Sequence, residues 1–211
     1  MRIDRLFEKC VTANYIHVEN GGDYALQRFG SDLYIYLERS DGGEDWKNNL
    51  NFPKRAYRRM GKTVWHAHRG FLTVWKSIEN YIADAVFDQS VRRVTVVGYS
   101  HGGALAVICH EYIYYNRPDL RENLFGYGFG APRVIWKPSP EIAERWENFT
   151  VVRNPDDAVT HLPPELFGYR HVGKMLNISK KGSYSPIDAH REENISKELQ
   201  RIYGVKKEAE N

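Results

Sequence analysis

The chain has 211 residues, 42% hydrophobic and 27% charged, a globular balance that argues against disorder and against a fibrous fold. Its 30 Lys and Arg against 27 Asp and Glu leave a net charge of only +3, well short of a dedicated nucleic-acid binder, so no nucleic-acid partner is expected. Two cysteines, Cys10 and Cys109, cannot build a disulfide framework or by themselves a structural zinc site, and no apolar run approaches membrane-spanning length.

In chain order, the opening Met1-Arg2-Ile3-Asp4-Arg5-Leu6-Phe7-Glu8-Lys9 is interrupted by charges before an apolar core of a secretory signal can form. Cytoplasmic residence is the expectation. No repeat or Pro/Gly/Ser-rich linker divides the sequence, so one domain over 1–211 is expected. Asp32 to Arg39 reads as a strand covered on both faces, with Leu33, Tyr34, Ile35, Tyr36 and Leu37 in succession. The cluster Lys54-Arg55-Ala56-Tyr57-Arg58-Arg59, with Lys62 beyond, reads as a solvated loop. Its functional alternative is a weak contact of Lys54–Lys62 with an anionic ligand or phospholipid surface. From Arg69 to Gln89, Leu72, Trp75, Ile78, Ile82 and Val86 recur at helical spacing and form one apolar stripe.

Arg92 to Val97 is a second buried strand, and Gly103 to Tyr115 a helix ended by Asn116-Arg117-Pro118. Leu124 to Phe129, Phe149 to Arg153 and Met175 to Ile178 are short strands, Glu141 to Glu147 is helical, and Ala189 to Tyr203 is an amphipathic closing helix. Strands alternating with helices imply an α/β sandwich with a mostly parallel sheet.

Gly98-Tyr99-Ser100-His101-Gly102 follows the Val-rich strand and opens a helix, the context of a nucleophile elbow. A tight strand-to-helix turn strains the serine backbone, and side chains at 98 or 102 would collide with neighbouring main chain; glycine removes the clash. Ser100 is then presented above the sheet, with the NH of His101 at the helix N-terminus facing the reacting oxygen. A serine hydroxyl needs a base, and the base an orienting carboxylate, which in α/β-hydrolases follow in the order acid, then histidine. The acid belongs after a later strand, where Asp156 and Asp157 are both available. Downstream histidines are His161, His171 and His190, the last at the start of the closing helix.

These residues resemble the class 3 lipase family of α/β-hydrolases, over roughly Leu33 to His190. Ser40-Asp41-Gly42-Gly43-Glu44-Asp45-Trp46 with Leu50 resembles the oxyanion-loop block, and His68-Arg69-Gly70-Phe71 the His-x-Gly-Phe block. Gly98 to Ala106 matches the elbow, Gly128 to Val134 the Phe-Gly-x-Pro-Arg-Val segment, and Asp157 to Pro164 the segment that carries the acid. The resemblance implies a three-layer α/β-hydrolase sandwich with helices on both faces of the sheet. It also implies a catalytic Ser100, Asp157 and His190, with Ser40 and His101 as oxyanion donors; His171 is the reserve base. Two departures from the family pattern are Glu38-Arg39 before Ser40, where Arg-Gly is usual, and His101 in place of Leu.

The implied chemistry is ester hydrolysis through an acyl-enzyme on a lipid or short-chain acyl ester, and it requires no metal or organic cofactor. The segment matching the family's lid, Gly43 to Leu50, is mostly polar, with Trp46 and Leu50 its large apolar groups, which favours soluble or short-chain esters. The competing readings are a serine peptidase or amidase with the same triad, and a non-catalytic binding domain of the same fold. Oligomeric state is not legible in the sequence.

Overall fold

In the computed structural model, which describes residues 1–18, 22–38 and 53–204, six strands join in one sheet. Across it run β1 (Tyr24–Phe29), β2 (Asp32–Leu37), β5 (Arg93–Tyr99), β6 (Leu124–Phe129), β8 (Phe149–Arg153) and β10 (Lys174–Asn177). Only β1 is antiparallel to its neighbour; the four pairings from β2 to β10 are parallel. Parallel strands need covered crossovers, and helices supply the cover on both faces. The fold is the α/β-hydrolase sandwich.

Side-chain alternation sorts each strand between two cores. Leu33, Ile35 and Leu37 of β2 and Val94 and Val96 of β5 pack with α2 (Arg69–Phe87) and α3 (His101–Asn116) through Leu72, Trp75, Ile78 and Leu105. The intervening Tyr34, Tyr36, Val97 and Tyr99 face α1 (Ile3–Val11) and α5 (Glu192–Tyr203), meeting Leu6, Phe7, Cys10, Ile195 and Leu199. A short α4 (Pro140–Ala143) and a 3-10 turn (Glu144–Trp146) stand where one helix over Glu141–Glu147 was expected.

A second, four-stranded antiparallel sheet was not legible in the sequence. It consists of β3 (Lys54–Arg59), β4 (Lys62–His68), β7 (Ile135–Trp136) and β9 (Tyr169–Arg170). The expected basic loop is thus half of a hairpin, closed by Met60 and Gly61 with φ of 47° and 76°. A two-residue turn with both residues left-handed matches the twist of the strands it joins. Tyr57 turns inward and stacks on Trp65 at 4.1 Å, while Lys54 and Arg55 stay in solvent.

Arg59 also turns inward. Its Nη2 lies 3.2 Å from Oε2 of Glu111 on α3, and Arg145 Nη1 lies 2.6 Å from the other carboxylate oxygen. Glu111 is fully buried, and among the described residues this pair of guanidinium groups meets its charge. Glu111→Ala would leave two poorly hydrated cations unmatched and is expected to cost about 3 kcal/mol of stability. The urea midpoint measures this; an unchanged midpoint would show that the clamp contributes nothing.

Candidate active site

β5 delivers Ser100 into a turn that begins α3, and the turn is possible only with glycine on either side. A Cβ on Gly98 would sit 2.0 Å from the Gly102 carbonyl oxygen, and one on Gly102 would sit 2.0 Å from that of Leu37. Ser100 takes φ 55° and ψ −119°, a strained conformation for a residue with a side chain. Its NH donates to the Phe129 carbonyl at 2.8 Å, which ties the elbow to the end of β6. Ser100 is 1% exposed.

β8 ends at Arg153, and the loop after it carries Asp157, fully buried. Past β10, a 3-10 turn over Asp188–His190 brings the imidazole back over the same sheet end. His190 Nδ1 lies 2.8 Å from Asp157 Oδ2, and Nε2 lies 2.8 Å from Ser100 Oγ. A carboxylate can only accept, so Nδ1 carries the proton and Nε2 is left to accept from the hydroxyl. Val159 NH donates to the second Asp157 oxygen at 2.9 Å, fixing the carboxylate plane. The three side chains therefore converge from loops beyond the carboxyl ends of β5, β8 and β10, the rim where open α/β sheets bind ligands.

Three supporting residues escaped the sequence reading. Tyr99 donates its phenol proton to the His190 carbonyl at 2.5 Å, and the buried Asn154 amide donates to the Ala189 carbonyl at 2.7 Å. Gly130, at φ 55°, leaves room for the imidazole: a Cβ there would lie 3.0 Å from His190 Cε1 and Nδ1. Gly130 lies in the segment Gly128 to Val134 that carries part of the family resemblance, whereas nothing in the sequence marks where the phenol of Tyr99 points.

The other acid and base candidates lie elsewhere. Asp156 turns to the backbone of a later loop rather than to His190. His161 Nε2 is 3.0 Å from the Pro155 carbonyl, and His171 Nε2 is 2.8 Å from that of Thr160. His68 caps α2 by accepting from Gly70 NH, and His101 opens α3 with its ring 5.3 Å from Phe71. Ser40, Trp46 and Leu50 lie outside the described residues, as does Arg39. Among the described residues, no group of three His, Cys, Asp or Glu side chains is placed to hold a metal ion.

Burial pushes His68 and His171 down from 6.5 to about 4, and His110 to about 3. These histidines stay neutral in the folded chain while the unfolded chain takes up protons below pH 6.5. Stability is therefore expected to fall as pH drops from 6.5 towards 4, seen as a declining Tm; a flat Tm across that window would contradict it.

A family model described as Lipase (class 3) matches residues 35–167. The chain is 32% identical over 155 residues to a lipase of Rhizomucor miehei, covering 67% of this chain and 40% of that protein. It is 28% identical over 167 residues to the secreted mono- and diacylglycerol lipase 1 of Fusarium solani, covering 72% and 45%. It thus spans less than half the length of these relatives.

A solved structure of the Rhizomucor miehei lipase propeptide complex superposes with a TM-score of 0.64 at 28% identity, over 80% of this chain and 58% of that one. A second, described as a serine protease triad forming the catalytic centre of a triacylglycerol lipase, gives 0.64 at 28%, over 75% and 62%. The expected cytoplasmic residence is overturned by these relatives, one of them named as secreted. The charged opening segment says nothing of compartment, because it folds as α1 with Leu6 and Phe7 buried against the sheet. With its model matched over more than half of the sequence, the class 3 lipase family is the one to which this chain belongs.

Proposed function

We propose that the chain is a serine carboxylic-ester hydrolase acting on lipid or short-chain acyl esters outside the cytoplasm. The observation that carries this reading is the unbroken hydrogen-bonded line from Asp157 through His190 to Ser100, with 2.8 Å at each step. His190 Nε2 takes the Ser100 proton as Oγ attacks the ester carbonyl, and Asp157 holds the imidazolium that forms. The NH of His101, with Ser40, supplies the oxyanion donors, each worth roughly 3 kcal/mol in the transition state. His190 then protonates the departing alcohol, and water, deprotonated by the same imidazole, releases the acid.

The mostly polar stretch Gly43 to Leu50 favours small or soluble esters over long-chain emulsions. A chain-length series of p-nitrophenyl esters, with a phospholipid and an anilide included, tests the assignment. Turnover of short esters well above that of the anilide is expected; the opposite ranking would make the chain an amidase.

Weak contact with an anionic lipid surface through the β3–β4 hairpin is part of the same proposal. The four strands of the second sheet carry Lys54, Arg55, Arg58, Arg59, Lys62 and Arg170 and no Asp or Glu. Arg59 is spent on Glu111, but Lys54 lies 3.3 Å over the Trp136 ring and Met60 at the hairpin tip is 95% exposed. A basic surface residue near anionic lipid contributes about 1 kcal/mol. Replacing Lys54, Arg58 and Lys62 together by Gln is expected to abolish sedimentation with phosphatidylglycerol vesicles. Equal binding to phosphatidylcholine vesicles would contradict an electrostatic contact.

A further inference from the structure

We propose that Asp156 is a positioning residue that holds the histidine-bearing loop over Ser100. The inference rests on reading Ser100, Asp157 and His190 as one catalytic unit. The Asp156 carboxylate accepts from Gly182 NH at 2.9 and 2.8 Å, from Ser183 NH at 3.0 Å and from Tyr184 NH at 3.4 Å. Three consecutive amides closing on one carboxylate form an anion nest. Gly182 makes the nest possible through its φ of +84°, and the space around it is open, so glycine is needed there for its backbone and not for room.

The grip is passed on to the imidazole by a short stretch with hydrogen bonds of its own. Ala158 NH donates to the Pro186 carbonyl at 3.2 Å, and Asp188 NH and Ala189 NH bond Ser185 at 3.1 and 2.9 Å. Asn154 and Tyr99 then hold the carbonyls of Ala189 and His190. Adjacent aspartates thus serve one histidine in two ways: Asp157 binds its ring, and Asp156 binds the loop that brings the ring there. The amide bonds hold the Asp156 carboxyl below the usual carboxylate range, helped by Lys181, so it is charged when the site works. Displacing a reacting group by about 1 Å costs up to ~100-fold in rate, and the nest sets that placement.

Two variants of the full chain test this, Asp156→Ala and Gly182→Pro. The second removes the Gly182 NH and forbids positive φ without changing any charge near the site. Three measurements apply: kcat and KM on a soluble short-chain p-nitrophenyl ester, the folded fraction by circular dichroism, and the downfield proton resonance of His190 Nδ1–H. That resonance is identified by its absence from His190→Ala.

Both variants are expected to lose about 10- to 100-fold in kcat with KM within about twofold, and to broaden or lose the resonance. Asp156→Glu is expected to recover part of both. The proposal is overturned if Asp156→Ala keeps the resonance and kcat within about twofold, or if kcat falls only with the folded fraction. If the parent hydrolyses no ester, the hydrolase reading fails on its own. Loss of the resonance in both variants would still support the positioning role, and its retention would still overturn it.

Discussion

Ser100→Ala is expected to lower kcat by about 10⁶-fold and to leave Tm unchanged. The loss is large because the oxygen that would form the acyl-enzyme is gone, and a water molecule in its place would have to find the same line to His190 Nε2. What remains is the rate supplied by binding and the oxyanion donors. Stability should hold because alanine pays the same backbone strain as serine at φ 55°. The elbow's packing depends on Gly98 and Gly102, whose close approaches are to main chain. Steady-state kinetics and thermal denaturation check both halves. Turnover above about 1% of the parent would move the nucleophile elsewhere.

His190→Ala should cost as much as Ser100→Ala, and the double variant no more than either alone, because residues that act as a unit are not additive. His171→Ala provides the contrast. Its ring is bonded to the Thr160 carbonyl at 2.8 Å and held neutral by burial, so its removal should disturb the local packing and leave kcat within a few-fold of the parent. Activity that survives loss of His190 but not of His171 would reassign the base.

The sequence made the central sheet legible where both faces of a strand are covered. Leu33 to Leu37, the Val-rich run before Gly98, and Leu124 to Phe129 carry no charge, and each forms its expected strand. The second sheet stayed hidden because β3 is written in Lys and Arg, with Tyr57 as its one fully buried side chain and no alternation long enough to read. Helix α1 is hidden for a similar reason: its charges dominate the opening residues, while Leu6, Phe7 and Cys10 face inward only once the sheet exists.

At the site, the elbow was readable because its constraint is local and steric. The partners of Ser100 were not readable that way, since His190 lies 90 residues beyond Ser100 and 33 beyond Asp157. Residue chemistry alone left Asp156 and Asp157 equivalent, and the family resemblance favoured Asp157. The distinction is physical and long-range: one carboxylate meets an imidazole, the other a row of amides.

A fluorophosphonate probe followed by peptide mass spectrometry tests the central claim most directly, because it reports an activated serine without needing the natural ester. Covalent labelling of Ser100 is expected in the parent protein and its loss in His190→Ala. An unlabelled parent, or a label on any other residue, would contradict the account.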